Sequence, residues 1–348
     1  MILATETPGL FEAAVRAASE ALTRGEVVAL PTETVYGLAA NAWDAEAVAR
    51  IYRVKGRPAE NPIIVHVASV EQARESASVW PLEAGLLARA FWPGPLTMVL
   101  PKSGRIPSIV TAGGSTVGLR WPSHPFMQAV IRTCGFPLAA PSANPSNALS
   151  PTTARHVQRT LGDRINLIVD GGASNVGIES TVLDLTCSPK RVLRPGMIHA
   201  ESLAEVLGEI VAVRGGEGGG AGNVDSTATS VAGGKDELRS PGMLPKHYAP
   251  KAGLRVMSWH DDGELMRGIE RGGWRAAECQ VIAYGQIPSG EGLAGVSVIP
   301  HDPEAYARAL YAELHRCDEF GVKHIVVETP PEGPEWRGVA DRLARASR

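Results

Sequence analysis

The spacing of apolar and polar positions changes often enough along this chain to mark out its elements. Over residues 10–24 the apolar positions recur at helical spacing, and Val27–Leu30 is an apolar run that breaks into the polar turn Pro31-Thr32-Glu33-Thr34. Asp44 is placed to cap a helix with Ala47, Val48, Ile51 and Tyr52 on one face, which Gly56 and Pro58 must end. The pattern then predicts a strand at Ile63–Val67, helices near 69–77 and 82–91, strands at Leu96–Leu100 and Val117–Leu119, and a helix over 125–134. A short strand at Pro137–Ala140, a helix over 152–161 and a strand at Leu167–Asp170 follow. Thr181–Leu185 and Arg191–Leu193 alternate like strands in an antiparallel part of a sheet, and a helix over 200–210 closes the unit.

Residues 214–238 change character, running through Arg-Gly-Gly-Glu-Gly-Gly-Gly-Ala-Gly into a Ser/Thr stretch of linker composition. Gly216-x-Gly218-x-x-Ala221 formally matches a loose dinucleotide fingerprint, but no helix-forming segment follows it and the match fails for want of context. From Leu254 strands and helices alternate: strands at Val281–Tyr284, Val296–Ile299 and Ile325–Val327, and helices over Pro303–Phe320 and 335–346. Tyr306, Leu310, Leu314 and Cys317 form one stripe of the longer helix. At 348 residues the chain is long for one core. The expected organisation is an α/β unit over 1–212, a linker and active-site lid over 213–250, and a smaller Rossmann-like α/β unit over 251–348. The first unit is expected to fold without the second.

Apolar content of 44% and charged content of 20% are those of an ordinary globular protein. A net charge of −3 argues against binding bulk nucleic acid by electrostatics alone. The four cysteines are far apart with no CxxC pair, and the nine histidines are scattered, so neither a disulfide framework nor a protein-held metal is expected. No basic leader and no membrane-spanning apolar run is visible, which makes a cytoplasmic enzyme the expectation.

The chemistry concentrates in short segments behind apolar elements. Lys55-Gly56-Arg57-Pro58, with Asn61-Pro62 behind it, puts two cations at a helix exit, where they can neutralise a polyphosphate. Lys55 could equally serve the carbonyls at the end of its own helix. Pro141-Ser142-Ala143-Asn144 follows a buried strand and suits either a nucleotide or an ordinary turn. His66 lies inside an apolar strand, where a lone histidine is commonly structural. Arg120, between Leu119 and Trp121, needs a partner if buried, and a substrate carboxylate is a suitable one. Arg194, behind Val192-Leu193, is a weaker case of the same kind. There is no Walker A motif, no GxSxG elbow and no HExxH, so a nucleotide would be held by dispersed contacts.

These residues carry a resemblance. Leu30-Pro31-Thr32-Glu33-Thr34-Val35-Tyr36-Gly37-Leu38, the two segments above and Arg194-Pro195-Gly196 resemble, in order, the signatures of the YrdC-like threonylcarbamoyl-AMP synthases over roughly residues 10–210. Ser240-Pro241-Gly242-Met243 through Lys246-His247-Tyr248-Ala249-Pro250, with an α/β unit behind, is similar to the two-domain form. The resemblance implies a twisted mixed sheet with flanking helices and a positively lined cleft. It also implies synthesis of L-threonylcarbamoyladenylate from L-threonine, bicarbonate and ATP, with release of pyrophosphate. Thr34, His66, Arg120, Ala140 and Ser180 would surround threonine. Arg57, Asn61, Thr116, Ser142, Ser150 and Arg194 would contact ATP, with Lys55 facing the phosphates. Asn144 would touch nucleotide or metal and Tyr248 would close over the nucleotide, although Thr116 and Ser150 carry little signal alone and Tyr248 could simply anchor the linker. Lys55 and Arg57 are the expected catalytic cations. Mg2+ would be held mainly by the ATP phosphates, and a downstream tRNA threonylcarbamoyl-transferase complex would carry the group to adenosine 37, direct tRNA contact being left open. A carbamoyl-transfer protein of hydrogenase maturation would bring paired CxxC motifs, which are missing. An RNA-binding or ribosome-associated factor using the same cleft is the alternative of another class.

Overall fold

The computed structural model describes residues 1–213 and 248–348. The expected tether and lid over 214–247 lie outside the described residues. Eleven strands form one twisted mixed sheet in the order β1-β8-β2-β3-β7-β4-β6-β5-β9-β10-β11. Its members are β1 (Ile2–Ala4), β2 (Val28–Leu30), β3 (Gly37–Asn41), β4 (Val65–His66), β5 (Leu96–Pro101) and β6 (Thr116–Arg120). The others are β7 (Leu138–Ala139), β8 (Leu167–Asp170), β9 (Thr181–Asp184), β10 (Arg191–Arg194) and β11 (Ala212–Val213). Four more strands, β12 (Gly253–Met257), β13 (Cys279–Ala283), β14 (Gly295–Val298) and β15 (His324–Glu328), form a separate all-parallel sheet in the order β12-β15-β13-β14.

Local chemistry sets the helix ends. Asp44 accepts from the N–H groups of Glu46 and Ala47 to start α2 (Ala45–Lys55), and Gly56 ends it in the left-handed conformation at φ 59°. That reversal turns the chain so that Arg57 leaves the helix axis. The helix expected from 152 begins at Ala154 because Thr153 caps it, and the one expected to reach 210 ends at Leu207 because Gly208 adopts φ 67°. The stripe Tyr306, Leu310, Leu314 and Cys317 of α9 (Pro303–Glu319) is fully buried.

Three strands have no counterpart in the sequence pattern. β3 is Gly-Leu-Ala-Ala-Asn, buried almost throughout, so it neither alternates nor carries β-branched residues. β1 and β11 are short and exist through parallel pairing with β8 and β10, far away in sequence or across the helix Ala200–Leu207.

The two sheets share a core. Val35, Leu149 and Ile178 of the first unit cluster with Tyr306, Leu310, Val339 and Leu343 of the second. Beside them a buried ion pair joins Glu179 to Arg342 on α10 (Arg337–Ala346), at 2.6 Å. The imidazoles of His156 and His315 stack across the same boundary with centroids 3.9 Å apart. The expectation that the first unit folds alone therefore does not follow from this packing. A chain ending at residue 213 exposes that apolar surface and strands a buried carboxylate, which typically costs about 3–5 kcal/mol. We expect it to unfold at a clearly lower temperature than the full chain; an equal melting temperature would contradict the shared core.

Burial pushes the Glu179 carboxyl up, but Arg342 and Arg194 outweigh it and bring it down to about 2. A carboxylate depressed in the fold stabilises it above the unfolded value near 4.5 and loses that contribution as pH falls towards the folded value. Thermal unfolding followed from pH 6 down to about 2 is therefore expected to fall more steeply for the natural chain than for Glu179→Gln. Parallel curves would remove the pair from the pH response.

Candidate active site

A pocket that lies open to solvent on one side sits in the hollow of the large sheet. Its walls come from strands running in both directions: the carboxyl ends of β2, β6, β7 and β10, and the residues just before β9. It is therefore not the carboxyl-edge crevice of an all-parallel sheet.

One half gathers Thr34, His66, Arg120, Ala140 and Ser180. Thr32 and Thr34 close the turn after β2, with the N–H groups of Thr34 and Val35 both donating to Thr32 Oγ1. Arg120 donates through Nη1 to Thr34 Oγ1 at 2.8 Å. Its Nη2 lies 2.8 Å from Glu33 Oε1, so the partner that burial demands is supplied by the protein itself. Burial pushes the Glu33 carboxyl up, and the Arg120 charge more than reverses it, so the acid stays ionised at neutral pH. His66 is 3% exposed, and burial together with Arg120 holds it neutral, well below the ordinary histidine value. Its Nδ1 has no partner among the described residues. Ser180 Oγ meets Thr97 Oγ1 at 2.8 Å.

The other half holds Arg57, Ser142, Arg194 and Tyr248. Arg57 is braced by the carbonyls of Asn61 (Nε, 3.0 Å) and Pro62 (Nη2, 2.6 Å). Burial brings its pKa down to about 10, which leaves it charged at neutral pH. Arg194 donates through Nε and Nη2 to the carbonyl and hydroxyl of Ser180, and Nη1 reaches the Tyr248 hydroxyl at 3.5 Å. Tyr248 adopts φ 63°, uncommon for a non-glycine residue, and its neighbour Ala249 is stitched to the Asn147 carbonyl.

The remaining sequence-derived candidates stand behind these walls. Lys55 is buried, and its Nζ donates to the main-chain carbonyls of Ser142 (2.6 Å) and Asn144 (2.5 Å). The ammonium thus holds the Pro141–Asn144 loop instead of lining the cavity, and burial with the nearby Arg57 charge keeps its pKa well below the usual lysine range. Asn144 closes the same loop by donating to the Ala148 carbonyl at 2.8 Å. Ser150 donates to Glu179 Oε1 at 2.5 Å. Asn61 is 1% exposed, with neither side-chain polar atom partnered among the described residues. Thr116 lies in a smaller adjoining hollow, with Ile64 lining both.

Sequence reasoning passed over Glu33, Glu179, Tyr311 and Arg342. Arg342 did carry a signal: it sits among Val339, Leu343 and Ala346 on the buried stripe of its helix, a charge where an apolar residue is expected. No three acidic, histidine or cysteine groups come together to hold a metal among the described residues. All four cysteines carry free thiols. No described helix is long and apolar enough to cross a membrane.

Residues 20–196 match the Sua5/YciO/YrdC family model, described as telomere recombination, and residues 198–348 match that of the threonylcarbamoyl-AMP synthase C-terminal domain. The threonylcarbamoyl-AMP synthase of Pyrococcus abyssi is 40% identical over 96% of this chain and 94% of its own length. That of Bacillus subtilis is 37% identical over 99% of this chain and 94% of its own length. The fold superposes on P. abyssi Sua5 complexed with L-threonine with a TM-score of 0.84 at 37% identity, covering 100% of this chain and 97% of the other.

Proposed function

The chain belongs to the threonylcarbamoyl-AMP synthase family, and we infer that the cavity described above is where L-threonine and ATP are joined. It makes L-threonylcarbamoyladenylate from L-threonine, bicarbonate and ATP, releasing pyrophosphate, as an intermediate for modifying adenosine 37 of tRNA. One observation carries the placement of the site: the sheet and the returning Tyr248 segment bring both sets of side chains onto one cavity, with Arg57 and Arg194 in its wall.

In this reading the threonine carboxylate meets Arg120, which Glu33 and Thr34 hold in place. The amine takes up CO2 derived from bicarbonate to give a carbamate, whose oxygen attacks the α-phosphorus of ATP; the α–β bridging oxygen leaves with pyrophosphate. The neutral His66, whose Nδ1 has no partner among the described residues, can accept a hydrogen bond from the amine or the threonine hydroxyl but is a weak base. Catalysis then rests on positioning and on fixed positive charge, supplied by Arg57 and Arg194. Mg2+ would be held mainly by the ATP phosphates and water, where it would supply further positive charge. The product passes to a tRNA threonylcarbamoyl-transferase complex, in the cytoplasm.

The test is pyrophosphate release, which must require threonine and bicarbonate together with ATP. Release indifferent to threonine would refute the reading. Arg57→Ala removes charged hydrogen bonds of roughly 1.5–3 kcal/mol each, so turnover is expected to fall about tenfold to a hundredfold or more. Unchanged release would take Arg57 out of the ATP site. Discrimination against serine rests on one methyl, worth about 1–3 kcal/mol, so serine is expected to work at a reduced kcat/KM in the same assay.

A further inference from the structure

Among the described residues lining the cavity, Glu179 is the single acidic side chain. If the cavity takes ATP, as read above, that residue stands in the wall beside a polyanion, and an uncompensated charge there would oppose binding. The compensation comes from the other unit. Arg342, 1% exposed on α10, pairs with Glu179 Oε2 through Nε at 2.6 Å and donates through Nη2 to the Glu179 carbonyl at 3.1 Å. Its Nη1 donates to the carbonyl of Pro195, directly after Arg194, at 2.9 Å. Tyr311, from α9, donates to the same carboxylate, at 3.2 Å from Oε2. Arg342 also lies over the Tyr248 ring, 5.3 Å from its centroid. The remaining oxygen of Glu179 accepts from Ser150. Arg194 and Tyr248 of the nucleotide half, with Ser150 behind its wall, therefore converge on one carboxylate and the guanidinium that neutralises it.

We propose that Arg342 is a positioning residue of the nucleotide site: it cancels and fixes the Glu179 charge, so that Arg194 remains available to the phosphates and a polyanion can enter. The other described cation acting on Glu179 is Arg194, which without Arg342 would be drawn away from its bonds to Ser180. The site is thus incomplete without the C-terminal unit, for an electrostatic reason distinct from any covering role. This rests on the assignment of ATP to the cavity.

The experiment uses the full-length chain and measures binding of ATP, AMP and threonine by calorimetry, without turnover. Arg342→Met is expected to weaken ATP at least tenfold, AMP by less, and threonine less than threefold. Adding Glu179→Gln to it is expected to restore most of the ATP affinity, because the unpaired charge disappears with its partner. Tyr311→Phe, which loses one hydroxyl, is expected to fold normally and to weaken ATP a few-fold. Equal losses for all three ligands, a double variant as weak as Arg342→Met, or Tyr311→Phe identical to the natural chain would each overturn the proposal. If Arg342→Met does not fold, the double variant and Tyr311→Phe decide alone. A natural chain that binds ATP yet releases no pyrophosphate with threonine and bicarbonate would overturn the assigned reaction and leave this inference standing. One that binds no ATP would sink both.

Discussion

Replacing Arg120 with methionine is expected to lower kcat/KM for threonine by about a hundredfold or more while leaving ATP binding within a few-fold. The guanidinium bonds Thr34 and pairs with Glu33 in a buried wall of the cavity, so the change removes both a docking cation and the order of the turn that carries Thr34. Two charged hydrogen bonds of roughly 1.5–3 kcal/mol each cover that loss at 1.36 kcal/mol per tenfold. The variant also strands Glu33, so its melting temperature should fall, as breaking a buried pair costs about 3–5 kcal/mol. Arg120→Met with Glu33→Gln separates the two effects: stability is expected to return and threonine use is not. Natural threonine kinetics in the double variant would reduce Arg120 to a structural residue.

The second large effect is expected at Lys55. Because its ammonium holds the carbonyls of Ser142 and Asn144 from inside, Lys55→Met strips the buried Asn144 carbonyl of its donor, at about 1–3 kcal/mol, and leaves the Ser142 carbonyl with the Asn144 N–H alone. The loop that presents Ser142 to the cavity should loosen, with a fall of about a hundredfold in kcat/KM for ATP. Lys55→Arg is not expected to rescue, since a planar fork cannot take the place of a compact ammonium between two carbonyls. Rescue by arginine would instead show that Lys55 acts as a plain positive charge towards the phosphates. Pyrophosphate release against ATP concentration distinguishes these outcomes.

The elements of both sheets were largely legible because their helices obey strong local rules, such as the Asp44 cap and the Gly56 reversal. β3 was not, since its Gly-Leu-Ala-Ala-Asn sequence is extended only because β2 and β7 pair with it on either side. The site was legible as letters but not as roles. Lys55 reads as a ligand cation by its place at a helix exit, and only the fold shows that its nearest acceptors are backbone carbonyls 87 and 89 residues away. Arg120 was rightly expected to need a partner, yet Glu33, in the very turn read as polar, is as suitable as a substrate. Arg342 broke the apolar rule of its helix, and its partner lies 163 residues earlier, a pairing that periodicity cannot reveal.

The seam between the units is also held at very close range. Gly177, at φ 84°, lies so close to Arg308 that a Cβ there would sit 2.4 Å from its Cα. A Cβ on Gly338 would approach Gly196 to 3.2 Å. Main chain thus rests on main chain at Gly177, while at Gly338 the Ile178 side chain comes closer still, at 3.0 Å. A single methyl group at residue 177 would act as a wedge, tilting one block against the other and misaligning Glu179 two residues away.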